Sequence, residues 1–101
     1  MIAQPTEADL LATIKAVAKD WGWLIFHNRY SLGSDPGWPD LALCKNGRLL
    51  FWELKGPRGK VSPEQQAWLD ALALVPGVDA RVVRWEDLDG CYRIIAGQEN
   101  P

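Results

Sequence analysis

The segment PDLALCKNGRLLFWELKG, from Pro39 to Gly56, decides the fold of this chain. Asn46–Gly47 is a two-residue turn of the kind that joins antiparallel strands in a tight hairpin. The runs on either side of it, residues 39–45 and 48–56, are apolar enough and long enough to be strands. The segment therefore predicts two antiparallel strands joined by a hairpin.

Two charged residues interrupt the second apolar run. Glu53 and Lys55 are two positions apart, and such residues lie on one face of a strand, roughly 6.5 to 7 Å from each other. Asp40 begins the neighbouring strand, so the hairpin brings a second carboxylate alongside. Taken alone, the Glu53–Lys55 pair is most simply an exposed ion pair on a solvated sheet face.

Carboxylates on adjacent strands can also converge on one hard cation. Mg²⁺ and Mn²⁺ prefer oxygen ligands, keep several waters, and bind through a few carboxylates plus a substrate phosphate. A lysine beside them could orient the attacking water or offset negative charge that develops at phosphorus. Phosphodiester hydrolysis requires these parts, so the pattern is a candidate nuclease site.

The chain before the hairpin predicts one helix and one strand. Thr6–Asp20 has Thr6 as its N-cap, with Asp9 three residues later as a capping-box variant. Its apolar stripe consists of Leu10, Leu11, Ile14, Val17, Ala18 and Trp21. Trp23–Tyr30 follows as a strand. Glu7 lies at the start of the stripe, where its carboxylate needs either the helix dipole or a cation.

The chain after the hairpin predicts a second helix and a fourth strand. Ser62 is the N-cap of a helix with Pro63 at its first position, and a VPGVD segment ends it. Residues 80–85 are a strand, and residues 86–97 are either a short helix or a loop with a fifth strand. The order α-β-β-β-α-β predicts one α/β domain over residues 1–101, with a mixed sheet of about four strands flanked by helices.

Composition narrows the function classes. The chain has 101 residues and a net charge of −2, whereas proteins that hold DNA only by its phosphates are usually basic. Its basic residues nevertheless cluster, at Lys55, Arg58 and Lys60 and at His27 and Arg29. With one histidine and no CxxC pair, a zinc site is not expected.

The cysteines and the termini bear on the compartment. Cys44 and Cys91 are far apart in apolar segments, which predicts buried free thiols in a reducing compartment. No apolar run has membrane-spanning length, and the N-terminus lacks the pattern of a secretory signal. We therefore expect a cytoplasmic protein.

Pro39–Asp40, followed after a gap by Glu53–Leu54–Lys55, resembles the bipartite motif of the PD-(D/E)XK nuclease superfamily. The longer blocks GWPDLAL and ELKGPRGKVSPEQQAWL resemble the VRR-NUC family, over roughly Thr6 to Trp85. The resemblance implies a restriction-endonuclease-like fold, of the small stand-alone kind found in bacteriophages and bacteria. The chain departs from the family pattern at Arg81 and Arg84, which are not the adjacent pair of the family name.

The resemblance also implies roles for particular residues. The metal ligands would be Asp40, Glu53, the backbone carbonyl of Leu54, and the acid of the first helix, Glu7. Lys55 would be the catalytic lysine, and Gln65 would be the glutamine of the SPxQ motif near the active site. Apart from the resemblance, the charge of His27, Arg29, Arg58 and Lys60 and their place near the candidate site predict that they contact DNA phosphates.

The residues and the resemblance together predict a Mg²⁺- or Mn²⁺-dependent DNA endonuclease. Compact members of the family resemble Holliday-junction resolvases, so the resemblance implies branched DNA as the favoured substrate and a symmetric homodimer as the favoured assembly. No organic cofactor is expected. Two alternatives are open: a flap, nicking or restriction-like nuclease on unbranched DNA, and a non-catalytic nucleic-acid-binding module of the same fold.

Overall fold

The central sheet is built around the predicted hairpin. The computed structural model describes residues 5–29 and 35–98. Its elements, in chain order, are helix α1 (Glu7–Asp20), strands β1 (Leu24–His27), β2 (Leu41–Lys45) and β3 (Arg48–Leu54), helix α2 (Pro63–Ala73), strand β4 (Val78–Val83), a 3₁₀ turn (Trp85–Asp87) and helix α3 (Leu88–Ile95). This order confirms the predicted α/β class.

The four strands form one mixed sheet in the order β1-β2-β3-β4. The β1–β2 and β2–β3 pairs are antiparallel, and β3–β4 is parallel because α2 carries the chain back across the sheet. At the hairpin, Asn46 has φ 50° and Gly47 has φ 77°. Two consecutive positive φ values are what the tightest hairpin turn requires, so Asn-Gly fixes the β2–β3 register.

Alternation along β3 divides the molecule into two layers. Leu50, Trp52 and Leu54 lie in the main core, packed with buried residues of α1 and α3 such as Ile14 and Ile94. The intervening residues of β3 face the opposite side, where α2 packs against β3 and β4. Glu53 is on this second face, so helix α2 covers it rather than solvent.

Helix α2 leaves part of the second face uncovered. Leu24 and Phe26 of the edge strand β1 are 75% and 59% exposed. Their cross-strand partners are Cys44 and Ala42, and Ala42 in turn pairs with Phe51. The β1–β2 half of this face is therefore an apolar surface, which we call the open sheet face.

The predicted helix starts are confirmed by their hydrogen bonds. The Asp9 N–H donates to Thr6 Oγ1 over 3.1 Å, and the Thr6 N–H donates to the Asp9 carboxylate over 2.8 Å. Ser62 and Gln65 make the same reciprocal pair at the start of α2. Capping boxes satisfy N–H groups that the helix itself leaves without partners.

Several predicted boundaries are corrected. Strand β1 ends at His27 rather than Tyr30, and the last tie to β2 is the Asn28 N–H donating to the Asp40 carbonyl over 2.8 Å. Tyr30 lies outside the described residues. Strand β4 begins at Val78 and ends at Val83, earlier at both ends than predicted. The C-terminal segment is helical, which decides between its two predicted alternatives.

Two predicted burials are also wrong. Trp21, assigned to the apolar stripe, is 48% exposed because the helix has ended and Trp21 is its C-cap. Cys44 is exposed because it belongs to the open sheet face, whereas Cys91 is buried as predicted. Within residues 5–29 and 35–98, no helix has the length and apolarity needed to cross a bilayer.

Candidate active site

The site forms where the hairpin strands end next to the start of α1. Asp40 directly precedes β2, and its Oδ2 accepts a hydrogen bond of 2.8 Å from the Leu54 N–H at the end of β3. This bond holds the Asp40 carboxylate against β3. The Glu53 side chain, one residue earlier on β3, is only 2% exposed. The structure therefore brings the two predicted carboxylates together.

Burial and charge act strongly on Glu53. Burial, first, and the neighbouring Asp40 carboxylate, second, raise the pKa of Glu53 to about 7, while Lys55 acts in the opposite direction. A protonated Glu53 can donate a hydrogen bond to Asp40, but neither carboxylate can donate when both are ionised. Burial and the Asp40 charge therefore make Glu53 hard to ionise, and Lys55 offsets them only in part.

The two oxygens of Glu53 differ in their surroundings. Oε2 accepts a 2.9 Å hydrogen bond from Gln65 Nε2 and lies 3.4 Å from Lys55 Nζ. Oε1 is buried and has no hydrogen-bond partner in the described part of the chain. A buried carboxylate oxygen without a partner is costly, and a bound cation would remove that cost.

Gln65 is fixed by its place in the first turn of α2. Its Oε1 accepts a 2.9 Å hydrogen bond from the Ser62 N–H. Because the backbone N–H can only donate, the carbonyl end of the amide must point toward Ser62 and the NH₂ end toward Glu53. The structure thus places the predicted Gln65 in direct contact with the site.

Lys55 follows β3 directly and remains tied to the sheet. Its N–H donates to the Val83 carbonyl over 3.1 Å, which extends the β3–β4 pairing by one residue. The side chain packs on the next loop: a Cβ at Gly59 would come within 3.1 Å of Lys55 Cδ. A larger residue at Gly59 would therefore displace the lysine.

Arg84 holds this loop in place, a role that the sequence did not predict. Its guanidinium donates to the Gly56 carbonyl over 3.0 Å and to the Gly59 carbonyl over 2.9 Å. The planar fork of arginine suits two acceptors at once. Arg81 instead binds Asp79 at 2.7 Å, away from Lys55. Arg84 therefore holds the loop that follows Lys55, whereas Arg81 pairs with the Asp79 carboxylate.

Glu7 approaches the site from α1. It lines a cleft of about 220 Å³ together with His27, Asp40 and Leu54. Partial burial, and then the Asp40 carboxylate, raise the pKa of Glu7, while Lys55 lowers it. Glu7 itself is largely exposed, so it lies on the solvent side of the cleft and not between Asp40 and Glu53.

The predicted DNA contacts occupy the surface around the carboxylates. His27 lines the cleft and is half-buried, and Arg29 is exposed just beyond β1. Arg58 and Lys60 are exposed in the loop that follows Lys55. The structure thus leaves three of the four predicted basic side chains accessible to a phosphate backbone.

Comparison with known proteins agrees with this geometry. The model of the VRR-NUC domain family matches residues 7–87, most of the chain. The chain belongs to the VRR-NUC family. A solved structure described as a VRR_NUC domain protein is similar in fold, with a TM-score of 0.64, 20% identity and 92% of each chain covered. No curated protein matches the chain.

Membership of the VRR-NUC family supports a nuclease-like activity. VRR-NUC domains are nuclease-type domains, which implies DNA as substrate, and they generally depend on a divalent metal. Among the described residues, no three His, Cys, Asp or Glu side chains form a ready-made metal cluster. This VRR-NUC domain instead offers a close carboxylate pair.

The carboxylate pair fits a hard divalent cation. Glu53 Oε1 is buried without a partner in the described chain, and the Asp40 charge raises the pKa of Glu53. Both observations indicate that Lys55 alone does not fully satisfy the Glu53 carboxylate. Mg²⁺ and Mn²⁺ use few protein carboxylates and complete their shells with water and phosphate. Asp40 and Glu53 are thus the kind of carboxylate pair that such an ion can use.

Proposed function

We propose that this VRR-NUC domain is a Mg²⁺- or Mn²⁺-dependent DNA endonuclease. The observation that carries the proposal is the buried Glu53 Oε1, which has no hydrogen-bond partner in the described chain, while Lys55 Nζ lies 3.4 Å from the other oxygen. An ordinary surface ion pair has no such buried oxygen. The arrangement instead combines a place for a cation with a lysine at its edge.

Each residue has a distinct part in the proposed reaction. Asp40 and Glu53 would hold the metal, with the Leu54 carbonyl and Glu7 as further oxygen donors. The bound metal would act as a Lewis acid toward the phosphate and help to deprotonate water. Lys55 would hold the attacking water and place positive charge near the phosphate oxygens. Gln65 would keep the Glu53 carboxylate in position.

The proposed reaction is the hydrolysis of one phosphodiester bond. The water oxygen forms a bond to phosphorus on the side opposite the 3′-oxygen, and the bond from phosphorus to that 3′-oxygen breaks. The 3′-oxygen takes up a proton, and the other product keeps its 5′-phosphate. The exposed Arg29, Arg58 and Lys60 and the half-buried His27 would bind neighbouring phosphates and fix the strand across the site.

We further propose that the enzyme acts on branched DNA as a symmetric homodimer. Leu24 and Phe26 on the open sheet face are 75% and 59% exposed, which supports a second copy covering this surface. Two copies related by a two-fold axis present two active sites, and a four-way junction offers two equivalent strands.

The test is cleavage of a four-way junction, a flap and a matched duplex with Mn²⁺ and with Mg²⁺. We expect the junction to be cut fastest, and Lys55→Ala and Glu53→Gln to lose at least a hundredfold in rate. Lys19→Ala, an exposed lysine in the last turn of α1, is the matched control and should cut like wild type.

The other outcomes identify the alternatives. Preferred cleavage of duplex or flap would replace the branched-DNA proposal with a nuclease on unbranched or flapped DNA. Absence of cleavage on every substrate, with no Mn²⁺ binding by calorimetry, would indicate a non-catalytic nucleic-acid-binding module. Equal rates for Lys55→Ala and wild type would remove the lysine from the mechanism.

A further inference from the structure

A second pocket is lined in part by Lys55. It has a volume of about 200 Å³, and its exposed surface is mainly apolar. The residues that matter for its chemistry are Pro5, Leu10, Pro57, Trp85, Lys55 and Glu86. Because Lys55 lines it, the pocket adjoins the proposed reaction centre. We call it the Trp85 pocket.

Trp85 is the unusual member of this lining. It begins the 3₁₀ turn after β4 and is 42% exposed, whereas Trp23 and Trp52 are in the core. Aromatic side chains gain much from burial, so an indole left open beside a site is a ready contact surface. Trp85 is not part of the main core, so packing of the core does not require a tryptophan at this position.

The turn that presents Trp85 is held on both sides. The Arg84 N–H donates to the Asp87 carboxylate over 2.8 Å, and the Arg84 guanidinium binds the loop carbonyls of Gly56 and Gly59. Trp85 is therefore attached to the same arginine that fixes the loop after Lys55. A ligand that stacks on Trp85 is placed relative to Lys55 by this shared support.

The size of the pocket restricts its occupant. Pockets for drug-sized ligands are about 300 to 1,000 Å³, and this one is smaller. It suits a single flat ring system better than an organic cofactor or a stretch of duplex. The apolar walls suit the faces of a ring, and the Glu86 carboxylate at the edge can accept a hydrogen bond from an amino group of a base.

We propose that the Trp85 pocket holds the base of one unpaired nucleotide next to the phosphate that is cleaved. A base inside a duplex is stacked on both faces, so only an unstacked base can enter such a pocket. Stacking on an aromatic side chain accepts any base, because every base has a π-face. This inference rests on the proposed nuclease function and narrows its substrate to DNA with an unpaired nucleotide at the cut.

The first test removes the base instead of the protein side chain. Once the cut is mapped, each of the two nucleotides flanking it is replaced by an abasic site, and kcat/KM is measured. At one of the two positions, the abasic site should lower kcat/KM of the wild type about tenfold or more. Trp85→Ala should lower kcat/KM on the intact substrate by a similar factor. The two changes together should lower kcat/KM no more than either change alone.

Matched variants separate stacking from folding. Trp85→Phe keeps an aromatic face and should retain most of the rate, whereas Trp21→Ala removes a tryptophan that is 48% exposed elsewhere and should change nothing. The proposal is overturned if abasic sites are tolerated by an active wild-type enzyme, or if the abasic and Trp85→Ala losses multiply.

A binding measurement tests whether the pocket holds a base even if no DNA is cut. Wild-type protein is titrated in EDTA onto branched DNA that carries 2-aminopurine at the unpaired position, and anisotropy of a distant label reports binding. We expect the 2-aminopurine fluorescence to be quenched by wild type and Trp85→Phe but not by Trp85→Ala. Bound DNA with unchanged fluorescence, or quenching that survives Trp85→Ala, would exclude the pocket while leaving the nuclease proposal standing.

Discussion

Glu53 Oε2 lies 3.4 Å from Lys55 Nζ, yet the lysine does not neutralise the carboxylate fully. Burial and the Asp40 charge outweigh it and raise the pKa of Glu53 to about 7. Lys55 therefore sits at the edge of an electrostatically unsatisfied carboxylate pair. Its own side chain is 13% exposed, so the ion pair is largely shielded from water.

Metal binding should compete with the proton on Glu53. Below pH 7 the carboxyl group of the metal-free protein is largely protonated, and a cation must displace that proton. We expect Mn²⁺ affinity to rise about tenfold per pH unit up to about pH 7 and then to level off. Calorimetry at pH 5.5, 6.5 and 7.5 measures this, and Glu53→Gln should bind weakly at every pH. A flat profile in wild type would contradict the expectation.

Stability of the metal-free protein should depend on pH in the opposite sense to an ordinary salt bridge. The pKa of Glu53 is raised on folding, so the folded state holds the proton more tightly than the unfolded chain does. Its contribution is present below about pH 4.5 and is lost as pH rises to about 7. The loss is on the order of 3 kcal/mol.

Urea unfolding in EDTA at pH 4.5 and at pH 8 measures this effect. Other groups also titrate, so the useful quantity is the difference in the free energy of unfolding between wild type and Glu53→Gln. That difference should move in favour of the variant as pH rises. A constant difference would show that Glu53 titrates alike in the folded and unfolded states.

The two arginines of the ARVVRW segment should separate activity from stability. Arg84→Gln removes the donors to Gly56 and Gly59, so the loop behind Lys55 loosens, and we expect kcat to fall about tenfold or more with a smaller change in KM. Arg81→Gln leaves the buried Asp79 without its cation and should lower stability by about 1 to 3 kcal/mol. Activity of folded Arg81→Gln should match wild type.

The two cysteines should react very differently with thiol reagents. Cys44 is exposed on the open sheet face, whereas burial raises the pKa of the Cys91 thiol to about 12. The thiolate is the reacting species, so Cys91 is protected by both its pKa and its burial. Mass spectrometry after iodoacetamide treatment should find one label on the native protein, at Cys44, and two after unfolding. Protection of native Cys44 would indicate that a partner covers the open sheet face.

Local patterns predicted much of the fold. Asn46–Gly47 specified the hairpin, Thr6 with Asp9 specified the start of α1, and Ser62 with Pro63 specified the start of α2, because each signal depends on neighbours within a few positions. The alternation of side chains along a strand predicted that Glu53 and Lys55 share a face. These features follow from backbone geometry that any chain with this sequence must obey.

Features that depend on distant contacts were missed. Exposure of Cys44 follows from α2 covering only one half of the sheet face, and the position of α2 is not encoded near Cys44. The hydrogen bonds of Arg84 reach carbonyls 28 and 25 residues away. The acceptors are backbone carbonyls, which every residue has, so no residue type in the sequence marks this contact.

The double use of Gln65 restricts which residue can stand at this position. A capping box accepts glutamate as well as glutamine. Here a glutamate would set a third carboxylate against Glu53, where the amide now donates a hydrogen bond. One side chain must therefore accept a hydrogen bond at one end and donate one at the other, and the amide of glutamine does both where a carboxylate cannot.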